Sequence, residues 1–119
     1  MKIKVLTLFP ELFDKFKELG LMSRAVNKSI IDLELIQLRD FAVNTHGQVD
    51  DSPYGGGSGM VLMPEAAVKA IVSAKKDLTK AKVISFSPRG TIYKQADARR
   101  LATELQNGQD LIFLCNLYR

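Results

Sequence analysis

The chain has 119 residues, of which 46% are hydrophobic and 25% charged, and 17 Lys and Arg against 13 Asp and Glu give a formal net charge of +4. That length supports one core and excludes a disordered chain, while an isoelectric point near 9.3 permits a polyanionic partner without demanding one. Cys115 is the only cysteine, which excludes an internal disulfide, and with one histidine it excludes a Cys/His metal centre.

The opening run Lys2 to Leu8 alternates charged and aliphatic residues and then turns apolar, which reads as a strand, with Pro10 in the first turn of a following helix. Phe13, Phe16 and Leu19 fall on one helical face, and Gly20 reads as the C-terminal stop. A short helix over Ser23 to Lys28 has Ala25 and Val26 inward, and Ile31, Leu33 and Leu35 alternate as a second strand. A long polar and glycine-rich connection, Asn44 to Gly59, comes next. Helix resumes at Pro64, where Ala66, Ala67, Ala70, Ile71 and Ala74 form an apolar stripe. Lys82 to Phe86 is a third strand, closed by Ser87-Pro88-Arg89-Gly90. Ala98, Leu101, Ala102 and Leu105 make another stripe ended by Asn107-Gly108, and Leu111 to Cys115 is an apolar run typical of a strand covered on both faces. This order is α/β. In such sheets ligands sit beyond the carboxyl ends of the strands, where Ser87 to Gly90 lies. No run approaches the roughly 18 apolar residues of a membrane span. The start lacks the apolar core of a signal peptide, so the expected location is cytoplasmic.

The stretch Val49 to Met60 is the densest in possible chemistry. Its four glycines let the backbone approach another surface closely, and successive N–H groups in such a turn can nest an anion. A Walker loop would require Lys then Ser or Thr after the last glycine, where Met60-Val61-Leu62 stands, and a dinucleotide fingerprint would follow a strand. On composition alone a surface loop is the plainer reading.

The ordered string Asp50-Asp51-Ser52-Pro53-Tyr54-Gly55-Gly56-Gly57-Ser58-Gly59-Met60 resembles the signature of bacterial tRNA (guanine-37 N1)-methyltransferases of the knotted SPOUT class. Leu8-Phe9-Pro10-Glu11, Arg24-Ala25-Val26, Arg39-Asp40-Phe41, His46 and Ser87-Pro88-Arg89-Gly90 extend the resemblance along the whole chain in matching order.

The resemblance implies a mainly parallel SPOUT-type sheet with a trefoil knot, a rare exception to unknotted connections. It also implies a homodimer that takes a methyl group from S-adenosylmethionine (SAM) and places it on N1 of G37 in tRNA. Ser87, Pro88 and Gly90 match the family's first cofactor loop, although Ser-Pro-x-Gly by itself is an ordinary turn. Tyr54, Gly55, Gly57 and Gly59 match the loop bordering the cofactor, and Arg24 and Asp50 match tRNA-facing or dimer-facing positions. His46 reads more plainly as a solvated loop histidine. Magnesium is a further cofactor the resemblance suggests, with no ligand cluster visible.

The departures lie at the end of the chain. Asn116-Leu117-Tyr118-Arg119 stands where the family continues Gly-Arg-Tyr-Glu-Gly, so only Tyr118 agrees. Residues 1–119 are therefore expected to form an incomplete SPOUT-type cofactor-binding domain, without the knot-forming part, the tRNA-binding C-terminal domain or the family's catalytic base. A frameshifted or prematurely terminated gene product would account for such an end, as would a fragment made for crystallisation or a genuinely shortened protein, and the chain alone is expected to be inactive. The alternative from another class is a non-catalytic RNA-binding or self-association module.

Overall fold

The computed structural model describes residues 1–42, 50–51, 61–62 and 64–115. Strand β1 (Lys2–Thr7) leads into α1 (Pro10–Lys17) and α2 (Gly20–Asn27), then β2 (Asp32–Gln37) and a 3₁₀ turn, Leu38–Phe41. Two-residue strands β3 (Asp50–Asp51) and β4 (Val61–Leu62) precede α3 (Pro64–Lys75), β5 (Ala81–Ser85), α4 (Gln95–Gln106) and β6 (Asp110–Leu114). The four longer strands form one parallel sheet in the order β2-β1-β6-β5, as the α/β reading expects. Register runs from Lys2 opposite Asp32 to Thr7 opposite Gln37, and from Ile3 opposite Leu111 to Leu6 opposite Leu114.

The placement of the helices follows from this order. The steps β1 to β2 and β5 to β6 run in the same direction across the sheet, so right-handed crossovers put α1, α2 and α4 on one face. The return step β2 to β5 puts α3 on the other. Its stripe fits closely because alanines let the helix approach: Ala66, Ala70 and Ala74 are buried against Leu6, Ile112 and Leu114, with Leu38 and Leu78 closing the ends. Ala67 and Ile71 of the same stripe are partly buried. Burying such side chains contributes roughly 1.5–3 kcal/mol each for the larger ones.

Local expectations shift in three places. Gly20, at φ +55°, does not end the first helix but opens α2, since α1 stops at Lys17 with Glu18 as its cap. Leu19 and Phe16 are consequently exposed, at the bend between two short helices, and Phe13 alone of that face is partly buried. In α4, Leu101 is buried as expected while Ala102 is exposed. The ladder of β3 with β4, pairing Asp50 with Leu62 and Asp51 with Val61, joins the two ends of the glycine-rich stretch.

Candidate functional site

Thr7, Ser85 and Leu114 end their strands side by side, so the loops that leave them share the carboxyl edge of the sheet. Phe86 continues from β5, its N–H donating to Leu114 O at 3.3 Å, and Cys115 continues from β6 by donating to Leu6 O at 2.9 Å. Ser87 to Gly90 then closes a tight turn, with Gly90 N–H donating to Ser87 O at 3.0 Å and Arg89 N–H to Ser87 Oγ at 3.2 Å. Ser at the first position, Pro at the second and Gly at the fourth are what a type I turn prefers. The glycine has a steric reason as well: a Cβ on residue 90 would stand 3.3 Å from Ser87 O.

The face of the sheet that carries α1, α2 and α4 is incompletely filled. Phe86 and Phe113 stack there with centroids 5.6 Å apart and planes inclined by 26°. On one side of this pair, Ile84, Ile92, Tyr93 and Leu101 line a cavity of about 500 Å³ toward α4, a size usual for ligand pockets of roughly 300–1,000 Å³. On the other, Val5, Phe13, Met22, Leu33 and Cys115 line an apolar cleft of about 340 Å³ under α1 and α2. The aromatic pair borders both.

Charge in the larger cavity is already paired. Lys82 Nζ meets Glu104 at 2.7 Å and Arg100 meets Asp97 at 2.9 Å. The backbone N–H of Lys94 donates to Asp97, and this bond first, then Arg100, holds the Asp97 carboxyl below its usual range. Asp97 is thus a helix-capping group and a weak base. Burial pushes the Cys115 thiol up, which disfavours a thiolate in the smaller cleft. Among the described residues no group of three His, Cys, Asp or Glu side chains could hold a metal ion, so nothing there supports magnesium. No helix of the described residues is long and apolar enough to cross a membrane.

The expected site residues therefore separate. Ser87, Pro88 and Gly90 come together in one exposed turn at the carboxyl edge. Arg24 is exposed in the last turn of α2, which hands the chain to the start of β2 at the opposite, amino edge. Asp50 lies in the β3–β4 ladder. Tyr54, Gly55, Gly57, Gly59 and His46 lie outside the described residues. Nothing in the sequence alone marks Phe86, Ile92, Tyr93 and Phe113 as site residues, although Phe86 stands directly before the Ser-Pro turn and Phe113 is central in the apolar run.

The turn leaves an approach open to a ligand. Its backbone is exposed on the outside, the Cβ-less Gly90 permits close approach, and the half-exposed ring of Phe86 offers an apolar surface beside it.

The family described as tRNA (Guanine-1)-methyltransferase TrmD matches residues 1–119. A tRNA (guanine-N(1)-)-methyltransferase of Desulfatibacillum aliphaticivorans is 46% identical over 118 residues, covering 99% of this chain and 44% of the relative. One from Clostridium perfringens (strain ATCC 13124) is 45% identical over 118 residues, covering 99% and 48%. The crystal structure of tRNA (m1G37) methyltransferase from Aquifex aeolicus superposes with a TM-score of 0.82 at 34% identity, covering 100% of this chain and 52% of that one. The chain spans about half the length of the relatives it matches, and over that span it belongs to the tRNA (guanine-1)-methyltransferase family.

Proposed function

We propose that this chain is the amino-terminal, cofactor-facing part of an enzyme that transfers a methyl group from SAM to N1 of G37 in tRNA. The observation that carries the reading is the Ser87–Gly90 turn, standing at the carboxyl edge of a parallel sheet in a chain matched by the family from residue 1 to 119. Ser87, Pro88 and Gly90 bind the adenosine part, and Tyr54, Gly55, Gly57 and Gly59 border the same ligand. Arg24 and Asp50 face tRNA or a second subunit of a homodimer, residues 1–119 form part of a SPOUT-type cofactor-binding domain, and the protein works in the cytoplasm.

N1 of neutral guanine carries a proton, so the reaction needs a base within hydrogen-bond reach of it. Asp97, the carboxylate bordering the larger cavity, is unsuited because its oxygens are committed to Lys94 N–H and Arg100. These 119 residues by themselves are accordingly expected to contribute binding rather than turnover. The decisive experiment supplies labelled SAM to protein carrying this chain, with tRNA transcripts bearing G37 or A37. Label on N1 of G37 alone supports the reading, and label in neither transcript, or equally in both, refutes it. A self-association module is the second reading, favoured by the exposed Leu12, Phe16 and Leu21 of α1 and α2 and Leu19 at the bend between them; it gains if the protein dimerises but binds no SAM.

A further inference from the structure

From Ser87 to Arg100 the sequence carries four cations, Arg89, Lys94, Arg99 and Arg100, against the single carboxylate of Asp97. Arg100 is taken up by its ion pair with Asp97. Arg89, Lys94 and Arg99 are exposed and make no side-chain ion pair among the described residues. Between them the chain displays Ile92 and Tyr93, 77% and 63% exposed, which is unusual for residues of that size. Thr91, Ile92 and Tyr93 line the same cavity as Asp97 and Arg100, so the segment folds back over the first turn of α4 rather than trailing into solvent.

The backbone holds these groups in place. The Ser87 to Gly90 turn fixes Arg89 at one end, and the bond from Lys94 N–H to Asp97 Oδ2, 2.9 Å, fixes the other. Arg99 projects from the side of α4 opposite Leu101, which is the buried side, because the two are separated by two residues and thus by about 200° around the helix axis. Arg89 and Lys94 flank the ring along the chain and Arg99 stands on the outer side of α4; unpaired cations and an exposed ring are the two elements of a single-stranded nucleic-acid surface, in which charge tracks the phosphates and the aromatic face stacks on a base. An acidic protein would use the cations and leave the ring idle.

We propose that Arg89, Lys94 and Arg99 contact the phosphates of an RNA strand and that Tyr93 stacks on one of its bases. This rests on the reading of the protein as a tRNA methyltransferase, because the surface adjoins the turn assigned to SAM and would bring the strand to the methyl donor. It adds a substrate surface that neither Arg24 nor Asp50 provides.

The test measures binding of an unmodified tRNA transcript across about 50 to 200 mM salt, where each phosphate contact contributes close to one unit of slope in log K against log salt. Replacing Arg89→Gln, Lys94→Gln and Arg99→Gln together is expected to lower the slope by roughly two to three and weaken binding about tenfold or more. Tyr93→Ala weakens binding by about fivefold to a hundredfold without changing the slope. Lys75→Gln with Lys76→Gln, at the far end of α3, serves as the charge control and leaves the slope within about one unit of the parent. Melting curves for each variant establish that the fold is kept, and calorimetric titration with SAM reports the methyltransferase reading independently. An unchanged slope in the triple variant, an equal loss in the control, or no tRNA binding by the parent overturns the surface, whatever SAM does. Equal affinity for poly-aspartate and insensitivity to Tyr93→Ala overturn it in favour of an acidic protein partner.

Discussion

The ammonium of Lys4, in the middle of central strand β1, donates to the carbonyl of Ala74 at 2.9 Å and so caps the last turn of α3. That carbonyl is one of the four a helix end leaves without a partner, and a cation there also complements the helix dipole. Asp77 is the second partner, and the lysine side chain is only 5% exposed. A charge-assisted bond contributes about 1.5–3 kcal/mol and the buried stem adds packing. Lys4→Ala is therefore expected to cost about 3 kcal/mol, whereas Lys4→Met, which keeps the stem, costs about 1–2 kcal/mol. Urea unfolding at neutral pH with unchanged m-values measures both, and a loss below about 1 kcal/mol for the alanine variant would refute the role.

The same pair predicts an acid limb in stability. Its bond to Lys4 holds the Asp77 carboxyl below the ordinary 3.8, and Asp97 is lowered likewise by Lys94 N–H and Arg100. A carboxylate with a depressed folded value stabilises above its unfolded value, and that contribution disappears as pH falls through the folded one, so the window lies below about pH 4. Lys2 acts at the other end: its bond to Asp32 raises its value above 10.5, so its contribution is complete below that pH and is lost as pH climbs through the folded value. Asp77 is exposed and Asp97 partly so, and solvent screening keeps the effect modest. Thermal melts as a function of pH are expected to show a shallower acid limb for Asp77→Asn with Asp97→Asn and an unaltered alkaline limb. An acid limb as steep as the parent's would count against both assignments.

How legible these features are depends on how local their causes are. The Ala66, Ala70, Ala74 stripe and the apolar run of β6 carry their burial in their own periodicity, and both are buried. Lys4 is the opposite case. Alternation with Ile3 and Val5 suggests a solvated position, but a parallel sheet covered on both faces leaves no solvent side, and only the fold reveals that α3 ends within reach. Gly20 has the residue type of a helix stop and serves as a helix start, because α1 is shorter than its apolar pattern and the bend needs positive φ. The Ser87 to Gly90 turn was readable from four residues, whereas the Phe86–Phe113 stack was not. That pair depends on the step of α4 across the sheet, a long-range property.

Two helix ends use the same hydrogen bonds with different residues. After α4, Gly108 at φ +92° donates to Leu105 O at 3.1 Å while Gln109 donates to Glu104 O at 2.9 Å. After α2, Ser29 at φ +57° donates to Val26 O at 3.0 Å while Ile30 donates to Ala25 O at 2.9 Å. Both are Schellman closures, in which glycine is favoured and serine is strained. Ser29→Gly is thus expected to stabilise by about 0.5–1 kcal/mol. Gly108→Ala should lose about 1 kcal/mol, entirely through backbone strain, since no atom lies within 4 Å of the added Cβ. Calorimetric melting temperatures should move in opposite directions, each by several degrees. A fall with Ser29→Gly would show that the serine side chain contributes more than its backbone strain costs.

Gly90 offers a way to separate binding from folding at the proposed cofactor turn. A Cβ at this position would stand 3.3 Å from Ser87 O, a contact the exposed turn can relax by a few tenths of an ångström at a cost under about 1 kcal/mol. Gly90→Val is therefore expected to leave the melting temperature close to that of the parent. Its branched side chain would nevertheless stand where the backbone must meet the ligand. The dissociation constant for SAM should then rise about tenfold or more, corresponding to roughly 1.4 kcal/mol. Arg89→Ala, one residue away with its side chain outside the turn's own bonds, is expected to leave SAM affinity unchanged. Equal SAM affinity in the parent and Gly90→Val proteins, with both folded, would move the cofactor away from this turn.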